Sequence, residues 1–336
     1  MSEKVIGQKH IYEHFENAIK AGKISHAYIL NGEKGTGKLE IAKHVAKALQ
    51  CEKNRGENKS GTPCNECQSC KQTESKNQPD IKYITPDKKT LGVDDIRYKI
   101  NEDACIKPYS SPYKIYIVPA SDKMTIQAQN ALLKTIEEPP RYAVFFLLAS
   151  NIDVFLPTIL SRCVILNMRT VSENEIAENL RKEFGVGDYD ARVAAVFAGG
   201  NIGKAKDLIT SDTFNETKQS VSEVIRAIAN GGMDAISKII KDLGVYKDNK
   251  EELKDYLDML RLWFKDVLKY KSTENEKDIV FQDSMNDIKQ LSGQISFENI
   301  NAILEAINQA ENRIKSNVGF DSNLEVMLLE IKERLQ

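Results

Sequence analysis

Apolar residues stand at four-residue spacing in Gln8–Ala21, where Ile11, Phe15 and Ile19 mark one face of a predicted helix. The next apolar run, Ala27-Tyr28-Ile29-Leu30, is too short for a helix and has the continuous character of a buried strand. A second helix is predicted over Lys38–Gln50, with Ile41, Ala42, Val45 and Leu49 on one face. Four further runs, Ile81–Ile84, Lys114–Val118, Val144–Ala149 and Val164–Leu166, have strand length and are rich in Ile, Val and Phe. Helical patterns fall between them at Asp94–Glu102 and Thr125–Glu137. Strands that alternate with helices imply a mostly parallel sheet with both faces covered.

Beyond about Met168 the strand signal stops. Ser172–Phe184 opens with Ser172 and Glu175 spaced as a capping box. Asp188–Ala198 is a further helix, stopped by Gly199-Gly200, and another begins near Gly203 and runs through Leu208. After Ser211 helical spacing is nearly continuous, notably in Val221–Ile228, Leu257–Leu268 and Ile300–Ile307, while the polar segment Tyr270–Asp278 reads as a loop. The expected organisation is an α/β domain over 1–166, a small helical domain over 167–212 and an all-helical domain over 213–336.

Composition narrows the class without naming a chemistry. The chain has 336 residues, 41% of them hydrophobic, which suits two or three packed domains. A formal net charge of −2 argues against a strongly basic nucleic-acid-binding protein, although local patches stay open. No apolar stretch nears the roughly 18 residues of a membrane span. The segment Met1-Ser2-Glu3-Lys4-Val5 has no apolar core of a secretory signal.

Candidate chemistry begins directly after the first strand. Asn31-Gly32-Glu33-Lys34-Gly35-Thr36-Gly37-Lys38-Leu39 follows G-x-x-x-x-G-K-[ST] up to its last position. Gly32, Gly35, Gly37 and Lys38 are the candidate phosphate-binding residues, since glycines let backbone N–H groups approach phosphate and lysine supplies charge. Leu39 stands where a hydroxyl would ligate Mg²⁺, and an isobutyl group cannot. Nucleotide binding is therefore open, because Lys38 and a helix N-terminus can hold phosphate without metal, whereas a vestigial loop would hold nothing. Hydrolysis also needs acidic residues after a second strand. Behind Ile115-Tyr116-Ile117-Val118 come Pro119 and Ala120 instead, and Asp122, three residues late, reads as a cap for the next helix.

Six cysteines include Cys51, Cys64, Cys67 and Cys70, in the pattern C-x12-C-x2-C-x2-C. Four thiolates at short spacing suit a tetrahedral structural Zn²⁺ site, with an iron–sulfur cluster as the rival and a reducing compartment implied by either. Cys51 ends a helix and the other three are expected on a polar loop. Cys105 and Cys163 are isolated and read as core residues, and His10, His14, His26 and His44 pair with no nucleophile.

Several short motifs occur in an order that resembles one family. They are Val5-Ile6-Gly7-Gln8, Ser25-His26-Ala27-Tyr28, the phosphate loop and the cysteine module. Asn130-Ala131-Leu132-Leu133-Lys134-Thr135-Ile136-Glu137-Glu138-Pro139-Pro140, Ser161-Arg162-Cys163 and Gly200-Asn201-Ile202-Gly203-Lys204-Ala205 then follow. Together they resemble the bacterial clamp-loader subunits of the AAA+ superfamily, most closely the delta-prime group of DNA polymerase III. The resemblance implies an α/β AAA+ core, a helical lid and a C-terminal helical collar. It implies a non-hydrolysing stator in a five-subunit ring with gamma/tau motor subunits and a delta subunit, loading a sliding clamp onto primed DNA in the bacterial cytoplasm. It further implies that Arg162 acts in trans as an arginine finger on a neighbour's ATP, with Zn²⁺ structural and ATP or ADP binding to this chain in doubt. Lys204 stands where the lid motif usually has arginine. Two other readings remain: an active motor using ligands such as Asp122, and a DNA-binding module built on the cysteine loop.

Overall fold

The computed structural model describes residues 5–56, 59–86, 90–276, 279–316 and 319–335. The opening residues Met1–Lys4 and the end of the expected 270–278 loop, residues 277 and 278, lie outside them. The described chain forms two compact units, residues 1–175 with 201–203, and residues 176–200 with 204–336.

The first unit is built on five parallel strands: β1 (Ala27–Asn31), β2 (Ile81–Tyr83), β3 (Lys114–Val118), β4 (Ala143–Ala149) and β5 (Val164–Asn167), in the order β2-β3-β4-β1-β5. Side-chain alternation sorts each central strand between two cores. Ala27 and Ile29 of β1, Tyr116 and Val118 of β3, and Ala143, Phe145 and Leu147 of β4 face one side. There they meet α4 (Val93–Ile96), α5 (Ile126–Glu137) and α6 (Pro157–Leu160) through Ile96, Leu132, Ile136 and Ile159. Tyr28, Leu30, Ile115, Ile117, Val144, Phe146 and Leu148 face the other side, against α1 (Lys9–Lys20) and α2 (Lys38–Gln50). Because both faces are covered, these strands read as continuous apolar runs rather than alternating ones. Phe145 and Phe146 have no exposed surface. Truncating either to alanine removes contacts on one face only and costs about 3–5 kcal/mol.

The register sets the chemistry that follows. β4 pairs with both β1 and β3, so the segments leaving β1 and β3 flank the end of β4 at the carboxyl end of the sheet. In parallel α/β sheets ligand sites gather outside the carboxyl ends of the strands.

The second unit is entirely helical among the described residues. It contains most of α7 (Glu173–Phe184), α8 (Asp188–Phe197), most of α9 (Ile202–Thr210), α10 (Asp212–Asn230), α11 (Met233–Leu243), α12 (Lys250–Thr273), α13 (Met285–Gln294), α14 (Phe297–Lys315) and α15 (Phe320–Leu335). α12 is the hub and packs on α10, α13 and α14. Its Leu257, Leu260, Trp263, Phe264 and Val267 are buried. The capping box is present: Ser172 N donates to Glu175 Oε2 and Glu175 N donates to Ser172 Oγ, each at 3.4 Å.

Four expectations are corrected. The loop expected from Tyr270 starts later, because α12 continues to Thr273, where the Ser272 and Thr273 hydroxyls donate to the Lys269 carbonyl. The helix expected over 94–102 keeps α geometry only to Ile96 and continues as a π-helical turn over Arg97–Glu102. Cys105 is exposed rather than core, just past that turn, while Cys163 packs half-buried on the sheet. The three later cysteines do not share one loop, because Cys67 caps a short helix, α3 (Gln68–Glu74), that contains Cys70.

Candidate functional site

The loop after β1 has the backbone shape its glycines permit. Gly35 and Gly37 adopt φ +90° and +87°, the left-handed region that costs a side-chain-bearing residue free energy. Gly37 is the residue before α2, so the loop feeds a helix N-terminus. The space around it is filled by protein. A Cβ at Gly37 would fall 2.5 Å from the Val5 side chain, and one at Gly35 would fall 2.7 Å from Asn201 Oδ1.

Lys38 turns back on its own loop. Its ammonium donates to the Gly32 carbonyl and, at 2.7 Å, to the Glu33 carbonyl. Burial holds its pKa below the ordinary lysine value, against the opposing charges of Asp122 and Glu33. Leu39 is half-buried and packs against the core beside α1 and α2, as an apolar side chain in the first turn should.

No carboxylate occupies the two positions after β3. Ser121 Oγ donates to the Leu148 carbonyl at 2.8 Å, and Asp122 Oδ2 accepts the Ser150 N–H at 3.0 Å. Asp122 therefore stitches the ends of β3 and β4 together. It is not the helix cap expected from its position, since Thr125 performs that task for α5 by accepting the Ala128 N–H.

The segment Asn201–Gly203 rests on the loop. Asn201 Nδ2 donates to the Lys34 carbonyl at 2.7 Å and Gly203 N to the Gly35 carbonyl at 2.9 Å. A Cβ at Gly203 would sit 2.4 Å from the Gly35 carbonyl oxygen, so this approach needs glycine. Lys204, the next residue, belongs to the helical unit, where its ammonium lies 3.1 Å from Asp255 and 4.6 Å over the Phe197 ring.

Arg162 lies between α6 and β5 and is half-buried. Its Nη1 donates to the Thr158 carbonyl at 2.9 Å and to Ser161 Oγ at 3.2 Å, while Nη2 is 3.0 Å from Glu137 Oε1. Glu137 is the last residue of α5 and belongs to the motif that ends in Pro139-Pro140. Nothing in the order of residues signals that this motif and Arg162 touch.

The four cysteines converge. The Sγ atoms of Cys51, Cys64, Cys67 and Cys70 all lie within 4.8 Å of one another, and Cys64 and Cys70 are 3.9 Å apart. Tetrahedral Zn–S bonds near 2.3 Å place sulfurs about 3.8 Å apart, so the spacing fits. Backbone donors point at the sulfurs: Cys64 N at Cys51, Cys67 N at Cys64 and Cys70 N at Cys67, each at 3.4 Å. Such N–H···S bonds offset thiolate charge and orient the ligands. Burial pushes the Cys51 and Cys70 thiols up. At Cys64 burial is outweighed by the N–H groups of Glu66 and Cys67, which bring the thiol down to about 6. The donor set can hold a metal ion.

Residues outside the motif position the cysteines. The buried Asn54 donates to the Ala48 and Thr62 carbonyls and accepts from the backbone of Ser60 and Gly61. Gly61, at φ +79°, comes so near α1 that a Cβ would lie 2.6 Å from the Glu16 carbonyl oxygen. Lys47, nearly buried on α2, pairs with Glu74 of α3 at 2.5 Å. Asn54 is recognisable only once the loop is folded, because a lone asparagine on a polar stretch carries no spacing signal.

The comparisons with known proteins fit this architecture along its length. Residues 7–172 match the family model described as DNA polymerase III, delta subunit, and residues 220–332 match its C-terminal counterpart. DNA polymerase III subunit delta' of Bacillus subtilis is 30% identical over 317 residues, covering 94% of each chain. Subunit tau of the same organism is 28% identical over 93% of this chain and 58% of its own length. A solved gamma subunit-related protein from Thermotoga maritima superposes with a TM-score of 0.45 at 18% identity, over 97% of this chain and 99% of its own. With the parallel sheet, the glycine loop and the helical C-terminal region accounted for together, the chain belongs to the delta-prime family of DNA polymerase III clamp-loader subunits.

Proposed function

We propose that the chain is the non-hydrolysing stator of a DNA polymerase III clamp loader, and that Arg162 acts in trans on ATP bound by a neighbouring subunit. One contrast carries this reading. The metal-handling positions are filled by Leu39, Pro119 and Ala120, and Lys38 and Asp122 are engaged by carbonyls and a backbone N–H, while Arg162 remains half-exposed with donors to spare. A guanidinium of this kind stabilises charge on a transferring phosphoryl group and is worth about 10³–10⁵ in rate. The relatives named tau and delta' support membership of such an assembly. The five-subunit ring, with its gamma/tau motors, delta subunit, clamp and primed DNA, is part of the proposal. So is a cytoplasmic, replisome-associated location.

The phosphate loop, Gly32, Gly35, Gly37 and Lys38, is read as a structural remnant. Its lysine donates to the loop's own carbonyls, and Val5 and Asn201 pack where a larger loop residue would go. The metal held by Cys51, Cys64, Cys67 and Cys70 is taken as structural Zn²⁺, which supplies a cross-link between the end of α2 and α3. Residues 167–212 are assigned as lid and 213–336 as collar. In this structure the helices of both assignments from residue 176 onward pack in one compact unit, apart from 201–203.

The test is ATP turnover by the purified chain with Mg²⁺, alone and assembled with its motor subunits, delta, clamp and primed DNA. No turnover alone, with ring turnover that slows in Arg162→Ala, supports the stator reading. Turnover by the chain alone, abolished by Lys38→Ala, establishes a motor instead.

A further inference from the structure

The salt bridge between Arg162 and Glu137 is the one contact of the proposed finger that sequence order conceals. Glu137 closes α5, a helix whose Leu132 and Ile136 are buried on the sheet, so its backbone is fixed. A carboxylate at a helix C-terminus opposes the partial negative charge there, and Glu138 adds another. The Arg162 guanidinium compensates this at 3.0 Å. On its other nitrogen the same guanidinium donates to Thr158 O in α6 and to Ser161 Oγ, so two separate elements hold it. These contacts use part of the five-donor fork and leave the rest free to approach an oxyanion.

We propose that Glu137 is the positioning residue of the finger. Arginine has a long, rotamer-rich side chain, and ordering it at the moment of phosphoryl transfer has an entropic cost. A carboxylate on a rigid helix end meets that cost in advance, in the way that preorganisation generally speeds a reaction. This inference rests on the finger reading of Arg162, and it adds a residue that touches no substrate and acts only through Arg162.

The experiment uses the reconstituted clamp loader with clamp and primed DNA. It compares Arg162→Ala, Glu137→Gln, Glu137→Asp and the double variant Glu137→Gln/Arg162→Ala, each checked for assembly. Glu137→Gln is expected to lower kcat about 3- to 10-fold at unchanged KM for ATP. Glu137→Asp should retain most of the rate, and the double variant should be no slower than Arg162→Ala alone. In the isolated chain, Glu137→Gln should also speed rotation of the Arg162 guanidinium, read from its ¹⁵N–¹H resonances. A Glu137→Gln ring that is as fast as wild type, or faster, while Arg162→Ala is slow, overturns the positioning role and leaves the finger standing. An additive double variant overturns it too. Normal turnover in Arg162→Ala removes the finger itself and this inference with it.

Discussion

The side-chain amide of Asn201 donates to the Lys34 carbonyl at 2.7 Å, joining residues 167 positions apart in the chain. Beside it the Gly203 N–H reaches the Gly35 carbonyl at 2.9 Å. The segment Asn201–Gly203 therefore touches the phosphate loop directly through protein hydrogen bonds.

Gly203→Ala tests that contact. The added methyl would begin 2.4 Å from the Gly35 carbonyl oxygen, a backbone atom that cannot rotate aside. Overpacking of this kind costs about 1–3 kcal/mol. The variant should melt several degrees lower, and hydrogen exchange at residues 33–37 should quicken. Unchanged melting and exchange would show that the segment does not rest on the loop.

Metal analysis decides the cysteine site. Protein purified without added metal should carry about one equivalent of zinc, as four thiolates in a closed set require. Cys67→Ser removes one ligand while its hydroxyl can still cap α3, so zinc should be lost and exchange should rise across residues 51–80. The β3 and β4 amides should stay protected, because their cores contain none of the four cysteines. Stoichiometry below one half, with four titratable thiols, would refute the metal.

Asp80 makes a third case. Almost fully buried, its carboxylate accepts the N–H groups of Tyr109, Ser110 and Ser111 at 2.6, 2.9 and 3.0 Å. Asp80→Ala strands three donors, and hydrogen bonds to a charged group are worth about 1.5–3 kcal/mol each before relaxation to water. The expected outcome is a loss of about 2–4 kcal/mol in chemical denaturation, with rapid exchange confined to residues 109–111. A loss under 1 kcal/mol would mean that solvent replaces the carboxylate freely.

The contrast between these sites explains what the sequence revealed. The strands were legible because both faces of the sheet are covered: Val144–Leu148 is apolar at every position, and its limits follow from burial alone. Lys38–Gln50 was equally legible, since Gly37 marks the turn and Ile41, Ala42, Val45 and Leu49 keep helical spacing. What stayed hidden depends on partners remote in sequence. α3 is short and polar and is organised by Cys67, Lys47 and the other cysteines, so it lacks the periodicity of a helix that buries one stripe. Asp122 has the residue type of a cap, and only the parallel register of β3 and β4 shows that Ser150 takes it. Glu137 lies inside the motif Asn130–Pro140, but its partner is set by how α5 and α6 meet on the sheet.

Asp266 gives the helical unit a pH dependence whose sign can be worked out. It lies buried on α12 and accepts the Val280 and Phe281 N–H groups at 2.8 and 2.7 Å. Burial raises its pKa to about 6, against the lowering effects of those two donors and of Lys269. The unfolded chain holds such a carboxyl near 3.9, so between roughly pH 4 and 6 the folded state binds more protons than the unfolded one. The contribution of Asp266 is therefore fullest below the unfolded pKa and is lost as pH rises through about 6. The shift is equivalent to roughly 3 kcal/mol as an upper bound. Asp266→Asn keeps an acceptor for the two N–H groups and cannot ionise. Its stability relative to wild type should thus rise between about pH 4 and 6 and level off above that, in unfolding followed by Trp263 fluorescence. A difference that stays flat across that range, or runs the other way, would show that the carboxylate is ionised in the fold and held there by its two backbone donors.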